Sequence, residues 1–129
     1  MHNILISADS RFPISRPKIK KAVTLVLKQE RISSDSELSI LVCGTRKARQ
    51  LAKKYLRDSK PHNVLSFPQT GKVGSPAGQR MILGDIVICY PLAQQEANRD
   101  NLLVDTKINE LVTHGLLGLL GEHHSYVLP

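Results

Sequence analysis

Short apolar segments separated by helical stretches limit the folds available to this chain. Residues 37–43 alternate apolar and polar side chains, residues 64–67 and 82–89 are compact apolar runs, and isoleucines flank Leu5. These patterns are typical of β-strands. Four strands in a chain of 129 residues predict one small sheet, in a single domain that spans 1–129.

Four helices are expected between and after these strands. Apolar residues recur at helical spacing after Ser15 in the sequence. Ser15 is predicted to cap this first helix, and Pro17 is expected in its first turn. Thr45 is predicted to cap the second helix, residues 91–100 form the third, and the last runs from residue 105 or 106 to 120. Strands and helices mix without strict alternation, which predicts an α+β fold.

Residues 69–80, between the third and fourth strands, are predicted to form a loop. Three glycines and one proline disfavour regular structure there. Gly71 and Lys72 lack the G-x-x-x-x-G-K-[ST] spacing of a phosphate-binding loop, which excludes that motif.

The two cysteines, Cys43 and Cys89, each lie in a strand-like apolar run. We expect buried free thiols rather than a disulfide, and therefore a cytoplasmic location. The pair forms no C-x-x-C motif, which argues against a zinc site made of cysteines. No apolar run approaches the roughly 18 residues that span a bilayer, so no membrane partner is expected.

Positive charge is concentrated in the first half of the chain. Residues 1–68 hold 14 Lys and Arg against 5 Asp and Glu, a net +9, whereas residues 69–129 hold 4 against 6, a net −2. Such a basic field attracts polyanions, nucleic acid first among them. The charges could instead be solvated helix faces without a partner. Aromatic residues make up only 4 %, so phosphate contacts rather than base stacking are expected to dominate.

Histidines at the C-terminal end form the candidate metal site. His114 lies in the predicted last helix, and Gly121 is expected to end that helix in a left-handed conformation, after which the chain would present His123 and His124. Imidazoles brought together in this way can bind zinc. A lone helical histidine is also common at a core boundary, and histidines near a terminus are often simply exposed. Gly115 follows His114, so the H-E-x-x-H peptidase motif is absent.

Three motifs in order along the chain resemble the YbeY family of metal-dependent endoribonucleases. The C-terminal segment carries H-G-x-L-x-L-x-G-x-x-H over residues 114–124. Residues 63–68, NVLSFP, resemble the D-V-L-S-F-P strand of that family, and residues 83–88, LGDIVI, resemble its L-G-D-I-x-I strand.

This resemblance implies a mixed sheet and a metal-dependent endoribonuclease that cuts single-stranded RNA. It further implies work on the 3′ end of small-subunit ribosomal RNA, in ribosomal RNA maturation and ribosome quality control, with RNA and the small ribosomal subunit as partners. The implied cofactor is Zn²⁺, held by three histidines on and after the C-terminal helix. His114 and His124 match the first and third ligands of the family. The second falls at Gly118, and His123 is the obvious replacement.

Two further residues are candidates for the chemistry. The arginine of the family aligns with Leu56, so the neighbouring Arg57 is the candidate for offsetting charge on the reacting phosphate. Asp85 could orient a metal ligand, or could simply end a strand in a turn.

Gly118 leaves three functions open. The first is a metal-dependent endoribonuclease. The second is a non-catalytic RNA- or ribosome-binding factor with a degraded metal site. The third is a metallohydrolase with a substrate other than RNA.

Overall fold

A central mixed sheet organises the molecule. The computed structural model describes residues 2–33, 35–58, 60–69, 72–73 and 80–127, without the side chains of 72–73 and 122–127. Its strands are β1 (Asn3–Ala8), β2 (Ser36–Cys43), β3 (Val64–Pro68), β4 (Lys72–Val73) and β5 (Arg80–Cys89). The order is β1-β2-β5-β3, with β1, β2 and β5 parallel and β3 antiparallel to β5. These four strands confirm the predicted mixed sheet and the α+β class, and β4 adds a short fifth strand.

The predicted loop over residues 69–80 is partly wrong. Lys72 and Val73 form β4, which pairs antiparallel with Met81 and Arg80 at the start of β5. A strand of two residues has no period of its own, so its existence depends on a partner elsewhere in the chain.

Four helices surround the sheet: α1 (Arg16–Gln29), α2 (Thr45–Leu56), α3 (Tyr90–Arg99) and α4 (Val104–Val127). The Ser15 hydroxyl accepts a hydrogen bond from the Lys18 amide at 3.4 Å, which confirms the predicted cap of α1. The cap predicted at Thr45 is wrong, because Gly44 is the N-cap of α2 and its carbonyl accepts from the Ala48 amide. Within the described residues, no helix combines the length and apolar character needed to cross a membrane.

Each face of the sheet packs against different helices. Along β5, Ile86 and Ile88 point into the larger core with α1, α3 and α4, whereas Val87 and Cys89 point into a smaller cluster with α2. This is the period of two expected for a strand buried on both faces. As a result α2 and α4 lie on opposite faces of the sheet.

Both cysteines are buried and free, as predicted. They lie side by side in register on β2 and β5, in the cluster beneath α2. Burial, with a smaller contribution from Cys89, raises the pKa of the Cys43 thiol to about 11. Cys43 is therefore protonated at neutral pH and is unsuited to nucleophilic or metal-binding chemistry.

Asp100, the C-cap of α3, links α3 to α4 through hydrogen bonds of its side chain. The Asp100 carboxylate accepts hydrogen bonds from the Arg99 guanidinium at 2.9 and 3.1 Å and from the Lys107 ammonium at 3.1 Å. These bonds, with that from Arg99 the largest cause, lower the pKa of Asp100 to about 2. A carboxylate with a depressed pKa stabilises the folded state above its unfolded pKa, and that contribution is lost as the pH falls through the folded pKa.

We expect Asp100→Asn to lower the free energy of unfolding at pH 7, and the deficit relative to wild type to shrink between about pH 4 and about pH 2. Urea unfolding of both proteins across this range measures it. A deficit that stays constant down to pH 2 would show that the carboxylate charge contributes nothing.

Candidate nucleic-acid interface and metal site

The outer side of α2 is strongly basic. Its inner side carries Ala48 and Ala52, both fully buried, and these small residues let the helix lie close to the sheet. The basic face, as we call the cations on the outer side, comprises Arg46, Lys47, Arg49, Lys53, Lys54 and Arg57, all of them exposed. Among the ion pairs of the described residues, none involves a cation of the basic face. Their charge is therefore available to an external polyanion.

The described residues leave part of the sheet surface beside α2 uncovered. Because α2 spans only 12 residues, it leaves a groove of about 730 Å³ between its C-terminal end and the strands. We call this the sheet groove; its lining includes Leu5, Leu41, Tyr55, Leu56, Phe67 and Asp85. Tyr55 is 57 % exposed at the edge of this groove.

Asp85 faces the sheet groove and not the histidine helix. It follows the same alternation along β5 as Val87, toward the face of α2. Its carboxylate accepts a hydrogen bond from the Gln69 side-chain amide at 3.2 Å. The prediction that Asp85 orients a metal ligand on α4 is therefore not supported, and its place is in the groove floor.

His114 is exposed on the outer side of α4. The next residue, Gly115, is buried against the sheet, and the Ser66 hydroxyl donates a hydrogen bond to its carbonyl at 3.1 Å. A Cβ at Gly115 would lie 3.0 Å from the Ser66 hydroxyl and 3.1 Å from Ile86 Cγ2, so the glycine permits this close approach. His114 lines a shallow depression with Glu110, one turn earlier, and with Thr106, Asn109, Thr113 and Leu117.

Gly118 lies one helical turn after His114, on the same exposed side. A Cβ built at Gly118 meets no atom within 4 Å. A side chain at this position would therefore be accommodated, and residues four apart share one helix face. The position is open for a metal ligand, but glycine supplies none.

The helix end predicted at Gly121 is wrong, because α4 continues to Val127. The helix continues through Gly121 although a glycine inside a helix costs roughly 1 kcal/mol relative to alanine. Along a continuous helix, ten residues separate the Cα atoms of His114 and His124 by about 15 Å. The side chains of His123 and His124 lie outside the described residues.

The donor atoms that can be located do not complete a zinc site. Among the described side chains, no group of three or more His, Cys, Asp or Glu residues could hold a metal ion. His114 is present, Gly118 contributes no ligand, and the turn expected at Gly121 is not formed. The zinc site on the C-terminal helix stays a prediction, because the side chains of His123 and His124 lie outside the described residues.

Arg57 ends α2 rather than standing beside His114. It is the C-cap of the helix in a left-handed conformation, with φ 55° and ψ 32°, and its amide donates to the Ala52 carbonyl. Its side chain is exposed, on the face of the sheet opposite α4. This position assigns Arg57 to the basic face.

One titratable pair beside the basic face was not anticipated from the sequence. His62 Nε2 lies 2.8 Å from Asp58 Oδ2, directly after Arg57 in the chain. Hydrogen bonds from the Lys60 amide and from His62, in that order, lower the pKa of Asp58. Only the i, i+4 spacing of Asp58 and His62 could have indicated this pair, and that spacing brings side chains together mainly within a helix, which this segment is not.

An exposed basic helix on an α+β domain is the electrostatic feature expected of a protein that binds polyanions, nucleic acid foremost. The sequence model described as Endoribonuclease YbeY matches residues 7–126. The chain is 32 % identical over 126 residues to Endoribonuclease YbeY of Acinetobacter baumannii strain AB307-0294, covering 95 % of this chain and 80 % of that protein. It is 31 % identical over 123 residues to the Aquifex aeolicus protein of the same name, covering 95 % and 78 %.

The fold agrees with these sequence matches. A solution structure of TM1509 from Thermotoga maritima superposes with a TM-score of 0.59, at 19 % identity, over 90 % of this chain and 71 % of that one. The chain therefore belongs to the YbeY family of endoribonucleases, which are nucleases and hence hydrolases.

Proposed function

We propose that this protein binds single-stranded RNA of the maturing small ribosomal subunit, and that the basic face is its main contact. The observation that supports this most is the set of six exposed cations on α2, free of ion pairs with the described acidic side chains. Phosphates of RNA neutralise such a surface and release counterions. The endoribonuclease family supplies the substrate class, and the cytoplasm is the proposed location.

The proposed activity is zinc-dependent cleavage in ribosomal RNA maturation and ribosome quality control. The ligands proposed from the sequence are His114 and His124, with His123 in place of the missing second histidine. Along the continuous α4, the Cα atoms of His114 and His124 are about 15 Å apart. The proposed zinc binding by this set is therefore accompanied by opening of α4 at Gly121, and Arg57 would act from the basic face by contacting phosphate.

The second candidate is an RNA- or ribosome-binding factor that does not cleave. Two observations favour it: Gly118 where the second ligand belongs, and the unbroken course of α4 beyond Gly121. RNA binding by the basic face is common to both candidates, so the metal site alone distinguishes them.

Restoring a histidine at position 118 tests the metal site. We expect Gly118→His to bind zinc at least about tenfold more tightly than wild type, since losing even an outer partner of a metal ligand typically costs that much affinity. Zinc content is measured by elemental analysis, and cleavage is followed on an unstructured RNA with and without chelator. Gly118→Ala is the matched control, because it fills the same open position without a donor atom.

Zinc and chelator-sensitive cleavage in the wild-type protein support the endoribonuclease. If both occur only in Gly118→His, the non-catalytic factor is the function. If Gly118→His binds no more zinc than Gly118→Ala, the ligand set taken from the family is wrong.

A further inference from the structure

The sheet groove presents an exposed aromatic ring next to positive charge. The ring centroids of Tyr55 and Phe67 are 5.2 Å apart with an interplanar angle of 52°, and Tyr55 is 57 % exposed. The Lys54 ammonium lies 5.2 Å from the centroid of the Tyr55 ring. Among the described aromatic residues, Phe12 and Tyr90 instead stack on each other at 4.7 Å, with Tyr90 buried. The four aromatic side chains that the structure describes are therefore divided between a core pair and a surface pair.

The floor of the sheet groove is polar as well as apolar. Ser7 and Ser39 from the neighbouring strands β1 and β2 line it, and Gln69 and Asp85 form a hydrogen-bonded pair within it. Hydroxyl, amide and carboxylate groups of this kind hydrogen-bond the edges of unpaired bases. An apolar peptide side chain would offer these groups no hydrogen-bond partner in place of the water it displaces, at a cost in binding.

Positive charge beside the sheet groove favours an anionic occupant. Lys54 and Arg57 lie on either side of the lining residues Tyr55 and Leu56 in the chain, and all four are exposed. We propose that the sheet groove binds an unpaired nucleotide of single-stranded RNA, with its base stacked on Tyr55 and its phosphates on Lys54 and Arg57. This proposal rests on the proposed RNA-binding function and adds a base-binding subsite beside the phosphate contacts of the basic face.

Stacking adds affinity that does not depend on salt in the way phosphate contacts do. Base–aromatic stacking is sequence-tolerant because every base has a π-face. The subsite therefore distinguishes RNA that carries bases from a bare sugar-phosphate chain, and it favours unpaired over paired RNA. Neither property follows from the basic face alone, because phosphate contacts carry no information about bases.

Two probes separate the subsite from the phosphate contacts: a fluorescent 12-nucleotide oligoadenylate and an abasic oligonucleotide of equal length. We expect Tyr55→Ala to weaken oligoadenylate binding about tenfold, to leave abasic binding unchanged, and to leave the salt dependence of both unchanged. Tyr55→Phe, which keeps the ring, should restore oligoadenylate binding. Leu103→Ala is the matched control, because Leu103 is 73 % exposed and lies before α4, outside the groove lining.

Equal weakening of both probes, or no weakening of either, would overturn the subsite. If the wild-type protein binds neither probe, the proposed RNA-binding function fails, which is a different result from loss of base discrimination. Should Tyr55→Ala not fold, photocrosslinking of the wild-type protein to 4-thiouridine-substituted RNA decides the matter. Adducts on the peptides that contain Tyr55 or Phe67 support the subsite, and adducts confined to other peptides contradict it.

A second copy of the chain is the competing occupant of the groove. Sedimentation of the wild-type protein and of Leu56→Asp, with and without oligoadenylate, tests it. A wild-type dimer that Leu56→Asp disrupts, and that RNA leaves intact, would overturn the nucleotide assignment. A monomer across the concentration range supports it.

Discussion

Raising the salt concentration from about 50 mM to about 200 mM should weaken the binding of single-stranded RNA about 100-fold. The estimate assumes that five of the six cations of the basic face each neutralise one phosphate. Each such contact contributes about −0.7 to the slope of log affinity against log salt for single strands, which gives a slope of about −3.5. Fluorescence anisotropy of an oligonucleotide at several salt concentrations measures the slope, and a flat response would contradict the polyanion interface.

A matched pair of triple variants locates the contact. One variant replaces with glutamine the cations that line a depression on the outer side of α2: Arg46, Arg49 and Lys53. The control replaces three exposed lysines of α1 in the same way: Lys20, Lys21 and Lys28. Both variants lose the same net charge, but α1 packs on the opposite face of the sheet.

The α2 variant should lose about two units of slope and the α1 variant almost none. If both lose equally, the attraction comes from net charge and not from the basic face. A loss confined to the α1 variant would move the interface to the other side of the molecule.

Hydrophobic periodicity was enough to predict the order of the larger elements and the class of the fold. The predicted strand over 82–89 is β5 with two residues added, and the helix over 91–100 is α3 shifted by one residue. Burial explains this success, because the period of apolar residues is set by the face that each element buries. The two wrong helix boundaries, the cap predicted at Thr45 and the end predicted at Gly121, each depend on a single residue, and the spacing of apolar residues does not determine where a helix begins or ends.

The candidate site was less accessible to sequence analysis. The excess of positive charge in the first half correctly predicted an exposed basic surface, because charged side chains are mostly exposed in folded proteins. The sheet groove could not be predicted, since it depends on how much of the sheet α2 covers once the two are packed together. The low aromatic content argued against base stacking, but composition does not reveal that Tyr55 and Phe67 meet at one surface.

Among the glycines that the structure describes, Gly84 should be the one whose replacement by alanine destabilises the protein most. Gly84 has φ 144°, a conformation that residues with a Cβ rarely adopt, and it follows an irregularity in the pairing of β2 with β5. A Cβ at Gly84 would clash with the Phe67 carbonyl oxygen, and it would lie 3.0 Å from Leu119 Cδ2 and 3.2 Å from Pro68 Cα. Neither backbone atom can move without disturbing the pairing of β3 with β5.

We therefore expect Gly84→Ala to lower the free energy of unfolding by about 3 kcal/mol or more, since positive-φ strain costs roughly 1–3 kcal/mol before any clash. Gly118→Ala is the control: its Cβ meets open space inside a helix, so it should stabilise the protein by up to about 1 kcal/mol. Urea unfolding followed by circular dichroism measures both. A Gly84→Ala protein as stable as wild type would contradict the close packing of β3 and α4 against β5 at this glycine.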